Sequence, residues 1–355
     1  MTQTRVSSLH PRATRRRTLR SAGEIAAAGL VSPDRVEEIA AVAQRYAVAI
    51  TPTLADLIDP MDPADPIARQ FVPDGRELDA QPAERADPIG DDTHAPLKGI
   101  VHRYPDRLLL TPILHCPVYC RFCFRRERVG GEDAVLGDAD LAAAIDYIRN
   151  HEEIWEVVIT GGDPLMLPAA RLSRILRELD AIAHVKVVRI HSRIPISDPD
   201  RIDDALLAAL DIETTLWLAV HCNHPRELAE PAVAALGRLA RQGIPLVGQT
   251  VLLKGVNDDP AVMEALMRAM VANRIKPYYL HHLDLAQGTD HFRTSIAEGQ
   301  AIMRYLRGRV SGLCQPYYVL DIPGGYGKAP IGPLYLQDDV VEDWQGNHHR
   351  YPPDD

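Results

Sequence analysis

Three cysteines fall within eight residues, as Cys116-Pro-Val-Tyr-Cys120-Arg-Phe-Cys123, and their type and spacing suit metal chemistry. Thiolates are soft ligands for zinc or iron–sulfur clusters, and three on this spacing can hold three irons of a four-iron cluster, leaving the fourth iron open. A structural zinc site normally takes four protein ligands, often from paired Cys-x-x-Cys elements. No second pair exists here, because Cys222 and Cys314 stand alone. The triplet follows an apolar run at 108–114, where a barrel-type strand would end and a functional loop begin.

Two glycine-rich segments could serve the same chemistry. Thr160-Gly161-Gly162-Asp163-Pro164 follows the apolar run at 157–160. A glycine pair lets backbone approach a ligand closely, and Asp163 can accept from an ammonium group; the same residues also make an ordinary strand-to-helix turn with a capping aspartate. Nearer the C-terminus, Pro323-Gly324-Gly325-Tyr326-Gly327-Lys328 puts a lysine after a flexible loop. Ala329 and the lack of a following helix signal disagree with a phosphate-cradling Gly-x4-Gly-Lys-Ser/Thr loop. A lysine that forms a Schiff base with pyridoxal phosphate would want such a backbone, and so would a plain solvated lysine at a turn.

The elements that must position these residues begin at about residue 97. Apolar runs at 108–114, 157–160, 185–190, 215–220, 245–251 and 276–280 alternate with amphipathic segments. Six strand–helix units in a row predict parallel strands joined by right-handed crossovers, as an open doubly wound sheet or as a full or partial barrel. Upstream, helical spacing from Ile25 to Arg45 gives way at 56–92 to repeated Asp-Pro pairs, which read as an ordered wrap. The first twenty residues carry Arg5, Arg12, Arg15, Arg16, Arg17 and Arg20 and no acid; they read as a mobile basic arm, with the composition of an organellar transit peptide as the alternative.

Composition narrows the partners. A net charge of -10 disfavours a nucleic-acid partner, and no apolar run nears the roughly 18 residues of a membrane span. An odd cysteine count of five, with no secretory apolar segment, argues against a disulfide framework and for the reducing cytoplasm.

Together the motifs resemble the lysine 2,3-aminomutase family of radical S-adenosylmethionine enzymes, over roughly 87–333. The features that carry the resemblance are His102-Arg103-Tyr104-Pro105-Asp106-Arg107, the cysteine triplet with Phe122 and with Arg125-Arg126, Gly161-Gly162-Asp163, Arg189-Ile190-His191-Ser192-Arg193, His291-Phe292-Arg293 and the loop ending at Lys328. It implies an α/β fold: a partial (β/α)6 TIM-like barrel at 98–310, an N-terminal helical and Pro/Asp-rich extension at 23–97 behind a basic arm at 1–22, and a lysine loop and tail at 311–355.

The same resemblance implies three cofactors. A [4Fe-4S] cluster would sit on Cys116, Cys120 and Cys123. S-adenosyl-L-methionine would chelate the open iron, its amino group near Gly161, Gly162 and Asp163. Pyridoxal 5'-phosphate would be held by Lys328, with Arg103 and Arg107 at its phosphate and Tyr104 at its ring. Arg125 would bind the substrate α-carboxylate, and Asp284 and Asp321 the side-chain ammonium of lysine, although a turn or capping role would be the preferred reading of both aspartates without the family match.

The implied reaction is an isomerisation in which a 5'-deoxyadenosyl radical starts migration of the α-amino group of L-lysine to Cβ. An electron donor such as flavodoxin or ferredoxin and a homo-oligomeric state come with it. The alternatives are an aminomutase for arginine or glutamate, and a non-catalytic zinc-binding partner of the translation machinery. No cysteine follows Cys314, as in shorter relatives that make β-lysine for elongation factor P; those relatives often lack the full Pro-Gly-Gly-x-Gly-Lys loop present here. His281 and His282 read either as cofactor contacts or as structural histidines.

Overall fold

A computed structural model describes residues 17–131 and 134–353, so most of the basic arm lies outside the described residues. Nine strands form one sheet in consecutive order: β1 (Ile100–Tyr104), β2 (Arg107–Ile113), β3 (Glu156–Gly161), β4 (Val187–Ser192), β5 (Thr215–His221), β6 (Leu246–Val251), β7 (Ile275–His281), β8 (Tyr317–Ile322) and β9 (Gly327–Pro330). Every neighbouring pair from β2 to β8 is parallel, and the two outermost pairs are antiparallel. A doubly wound sheet needs a point where the strand order reverses. Here the order never reverses, so the sheet winds one way into a nearly closed barrel.

Helices fill the crossovers: α1 (Asp138–Arg149), α2 (Ala169–Asp180), α3 (Asp204–Ala209), α4 (Glu230–Arg241), α5 (Pro260–Ala272) and α6 (Ile296–Leu306). Their placement follows from spacing. In α2, Leu172, Ile175, Leu176 and Leu179 recur on one face and all are buried. Start signals agree with the observed ends, since Asp259 accepts from the first amides of α5 and Ser295 with Glu298 forms a capping box on α6.

Alternation along the strands separates two environments. Leu108, Leu110, Val157, Ile159, Val188, Ile190, Leu216 and Leu218 join the helices in the main core. The intervening residues, among them Glu156, Arg189, His191, His221 and Gln249, point to the other face, and Arg189 donates to Glu156 across it at 2.9 Å. The barrel lumen therefore mixes these polar side chains with apolar ones such as Val158 and Ala219, unlike a barrel packed only with branched apolar layers.

Two segments behave differently from their sequence reading. The stretch at 311–355, read as a loop and tail, adds β8 to the parallel sheet and β9 to its edge, followed by a small antiparallel sheet over 336–350. Tyr317–Ile322 is short, carries Asp321, and has no helix after it, so it lacked the strand–helix rhythm that marked the other strands.

The extension at 23–97 builds its own apolar cluster from Ile25, Ile39, Leu54, Ile67 and Phe71, and that cluster takes in Val118 of the cysteine loop. Backbone amides of Tyr119 and Arg121 donate to Ala49 and Gln70 of the extension at 3.2 and 2.9 Å. Arg121 is almost fully buried and forks onto Glu77, which also takes Arg126. The extension is thus a clamp on the cysteine loop.

Candidate active site

Cys116 leaves the end of β2, and Cys120 and Cys123 follow within one turn-rich loop. All three are free thiols of intermediate exposure. Burial first, then the Asp163 carboxylate and the neighbouring thiols, raises Cys116 well above an ordinary thiol, and burial with the Cys120 thiol raises Cys123 to about 11, so these two favour thiolates only beside added positive charge. Part of that charge is on hand: Nη1 of buried Arg193 lies 3.1 Å from Sγ of Cys120, with Glu227 and Gln70 fixing the guanidinium. Among the described residues no three His, Cys, Asp or Glu side chains converge as the shell of a single ion. An iron–sulfur cubane takes one thiolate per iron, and the donor set fits that wider arrangement.

Gly161 and Gly162 bring β3 against the approach to Cys116. Their amides and that of Asp163 are close enough that Gly162 donates to Ile113 and Asp163 to His115, both at 2.8 Å. A Cβ on Gly162 would lie 2.3 Å from the His115 carbonyl oxygen, and Gly161 has φ of 117°. The pair is required by this backbone contact before any ligand is considered. Asp163 is placed behind it, accepting from Ser192 Oγ at 2.8 Å and from the amides of Leu165, Arg193 and Ile194 at 3.1, 2.7 and 3.2 Å. Burial still raises its carboxyl to about 6. Four donors use the whole capacity of a carboxylate, so Asp163 braces the end of β4.

Across the lumen, Arg103, Tyr104, Lys328 and Asp321 come together. The Lys328 amide donates to the Tyr104 hydroxyl at 2.7 Å, and Nζ donates to Asp321 at 2.8 Å. Gly324, Gly325 and Gly327 all have φ near 90°, and a Cβ on Gly327 would meet the Tyr104 hydroxyl at 2.7 Å. Arg107 reaches the group indirectly: it lies over the Tyr104 ring at 3.9 Å and pairs with Asp106. Arg125 is buried, its guanidinium held by Asp91 and within 3.4 Å of Thr160 Oγ1.

Asp284 lies close enough to Asp321 for the charge of Asp321 to bear on it. Burial first and then the Asp321 charge raise Asp284 to about 8, and one Asp284 oxygen is buried without a partner. Asp321 is pushed up by burial, but His281 and Lys328 outweigh this and hold it well below the usual carboxylate range. Two facing carboxylates with one unmet oxygen form an acceptor for a buried cation. The folded protein therefore binds a proton on Asp284 that the unfolded chain releases near its ordinary value. The stability contributed by this proton is complete in acid and is lost as pH rises to about 8. Asp284→Asn should remove that dependence, so that denaturant unfolding of the cofactor-free protein shows the variant gaining on the parent from about pH 4 to about 8, by up to about 6 kcal/mol, and no further above it.

Sequence reasoning missed His191 and His221 as lumen residues. Both Nε2 atoms are buried without partners, and burial keeps both rings neutral. Their signal was the strand period: each sits at an inward position near the C-terminal end of a strand. Orphaned imidazole nitrogens, an orphaned Arg103 Nε and the Asp284 oxygen show that the lumen is built for polar guests. These atoms, with the Gly161–Gly162 backbone, suit S-adenosylmethionine on the thiol side, and Lys328 with Arg103 suits an aldehyde-bearing phosphate ester on the other.

The Radical SAM superfamily is matched by residues 110–266. The L-lysine 2,3-aminomutase of Clostridium subterminale is 42% identical over 306 residues, covering 86% of this chain and 74% of the relative. That of Acetoanaerobium sticklandii is 40% identical over 306 residues, with the same two coverages. A glutamate 2,3-aminomutase of Clostridioides difficile is 40% identical over 300 residues, covering 84% of this chain and 71% of the relative.

Proposed function

We propose that this chain, which belongs to the lysine 2,3-aminomutase family of the radical SAM superfamily, converts L-lysine to β-lysine by moving the α-amino group to Cβ. The observation that carries the choice of lysine is the facing pair Asp284 and Asp321, whose unmet buried oxygen suits a side-chain ammonium. A glutamate side chain would place a third carboxylate there, against the repulsion that already raises Asp284.

When bound, the cluster with S-adenosylmethionine supplies the hydrogen-abstracting radical, and pyridoxal phosphate supplies a conjugated carrier for the migrating nitrogen. The residues do the rest. Cys116, Cys120 and Cys123 hold three irons, and Gly161 and Gly162 offer backbone to the methionine end. Lys328 holds pyridoxal phosphate, with Arg103 and, through the Tyr104 stack, Arg107 on its phosphate side. Arg125 takes the α-carboxylate, whose position relative to Asp284 and Asp321 sets which carbon faces the radical.

The free thiols and an oxygen-sensitive cluster call for a reducing compartment, which we take to be the cytoplasm; no described helix is long and apolar enough to cross a membrane. A flavodoxin or ferredoxin fits the need for a one-electron donor. Exposed Leu334, Leu336, Val340 and Trp344 support self-association.

The test is anaerobic reconstitution with iron, sulfide, pyridoxal phosphate, S-adenosylmethionine and a reductant, followed by amino-acid analysis with lysine, arginine and glutamate supplied separately. β-Lysine from lysine is expected. Its absence, or a β-amino acid from another substrate alone, overturns the reading.

A further inference from the structure

Asp91 lies in the Asp/Pro-rich wrap, where composition suggests only a turn, yet it is buried between the two arginines that face anions. Its Oδ1 accepts from Arg103 Nη2 at 3.1 Å, and its Oδ2 accepts from Arg125 Nε and Nη2 at 3.2 and 2.9 Å. Asp91 is the closest carboxylate partner of both arginines. The Ile89 carbonyl takes Arg103 Nη2 as well, leaving Nε without a partner, and Arg125 keeps its outer edge with only the long contact to Thr160.

The aspartate is itself fixed by its neighbours. Asp87 accepts from the amides of Asp91 and Asp92, both at 2.9 Å. Gly90, at φ of 69°, packs so tightly on the lysine loop that a Cβ would lie 2.5 Å from the Gly325 nitrogen, and His94 Nε2 donates to the Gly325 carbonyl at 2.9 Å. One short segment therefore touches the cofactor lysine's loop and both arginines.

We infer that Asp91 is a positioning residue that sets the Arg103 and Arg125 guanidiniums, tying the phosphate site of the cofactor to the carboxylate site of the substrate. The inference rests on the function proposed above. A competing effect has to be weighed, because removing a carboxylate also makes the site more positive and would by itself draw anions in. The surroundings decide against that effect. Arg103 Nη1 already lies 3.9 Å from Asp321, the next available carboxylate, so an Arg103 released by Asp91 turns to Asp321 and away from the phosphate. It would there compete with Lys328 and with the substrate ammonium for the same oxygens.

The test compares parent, Asp91→Asn and Asp91→Glu by titrating cofactor-free protein with pyridoxal phosphate and, separately, with pyridoxal, followed by absorbance. Asp91→Asn should weaken pyridoxal phosphate about tenfold while changing pyridoxal much less, and Asp91→Glu should recover part of the loss. In the reconstituted enzyme the same variant should raise KM for the amino acid more than it lowers kcat. Equal weakening of both aldehydes marks a merely structural residue and overturns the inference, as does unchanged or tighter pyridoxal phosphate binding in Asp91→Asn. A parent protein that binds no pyridoxal phosphate instead overturns the functional reading beneath it.

Discussion

Cys120→Ala should leave anaerobically reconstituted protein without the visible absorbance and iron content of a four-iron cluster, and without turnover above background. The expected loss is total because the sequence offers no spare thiol near the triplet. Cys222 and Cys314 are buried in the barrel core, far in sequence from the loop, and neither can substitute without unpacking it. The substitution should also remove a partner, since Arg193 would keep Glu227 but lose the sulfur 3.1 Å from its Nη1. Far-ultraviolet circular dichroism separates this from unfolding: the barrel signal should persist while iron is lost. Retention of the full iron and sulfide content would remove Cys120 from the ligand set.

Lys328→Ala comes second in expected effect. The variant should show no lysine-linked pyridoxal absorbance and should not convert lysine, whereas its cluster and its cleavage of S-adenosylmethionine under strong reduction should survive. The separation follows from geometry, because the lysine and the thiols lie on different parts of the lumen and are held by different segments. Loss of Nζ leaves Asp321 with His281 at 3.7 Å and Arg103 at 3.9 Å, so the local structure retains partners for that carboxylate. A variant spectrum identical to the parent would withdraw Lys328 from cofactor binding.

Much of the scaffold was legible because each strand–helix unit repeats two periods, one of two residues and one of 3.6. Periodicity could not choose between barrel and open sheet, a choice made by strand order across the whole chain. The cysteine triplet and the glycine–lysine loop were legible for a different reason: their residue types are rare and their spacing is local. Asp91 and Glu77 were not, since each acts on residues that are remote in sequence and sits among other acids with only turn roles. The glycine pair was visible, but its first physical duty is not. The close approach to Ile113 and His115 belongs to the tertiary fold, and sequence alone left open a ligand contact or a strand-to-helix turn capped by Asp163.

The outermost strands of the sheet, β1 and β9, are joined by no ladder; a side-chain hydroxyl and one amide span them. Arg103 and Tyr104 lie on one lip of this seam and Lys328 on the other. A molecule gripped from both lips works as a crosslink as well as a reagent. By mass action its binding energy is added to the resistance of the barrel to opening, by RT ln(1 + [L]/Kd). Binding of the proposed pyridoxal phosphate across this seam should then raise the protease resistance of the C-terminal strands, in proportion to the fraction of chains loaded.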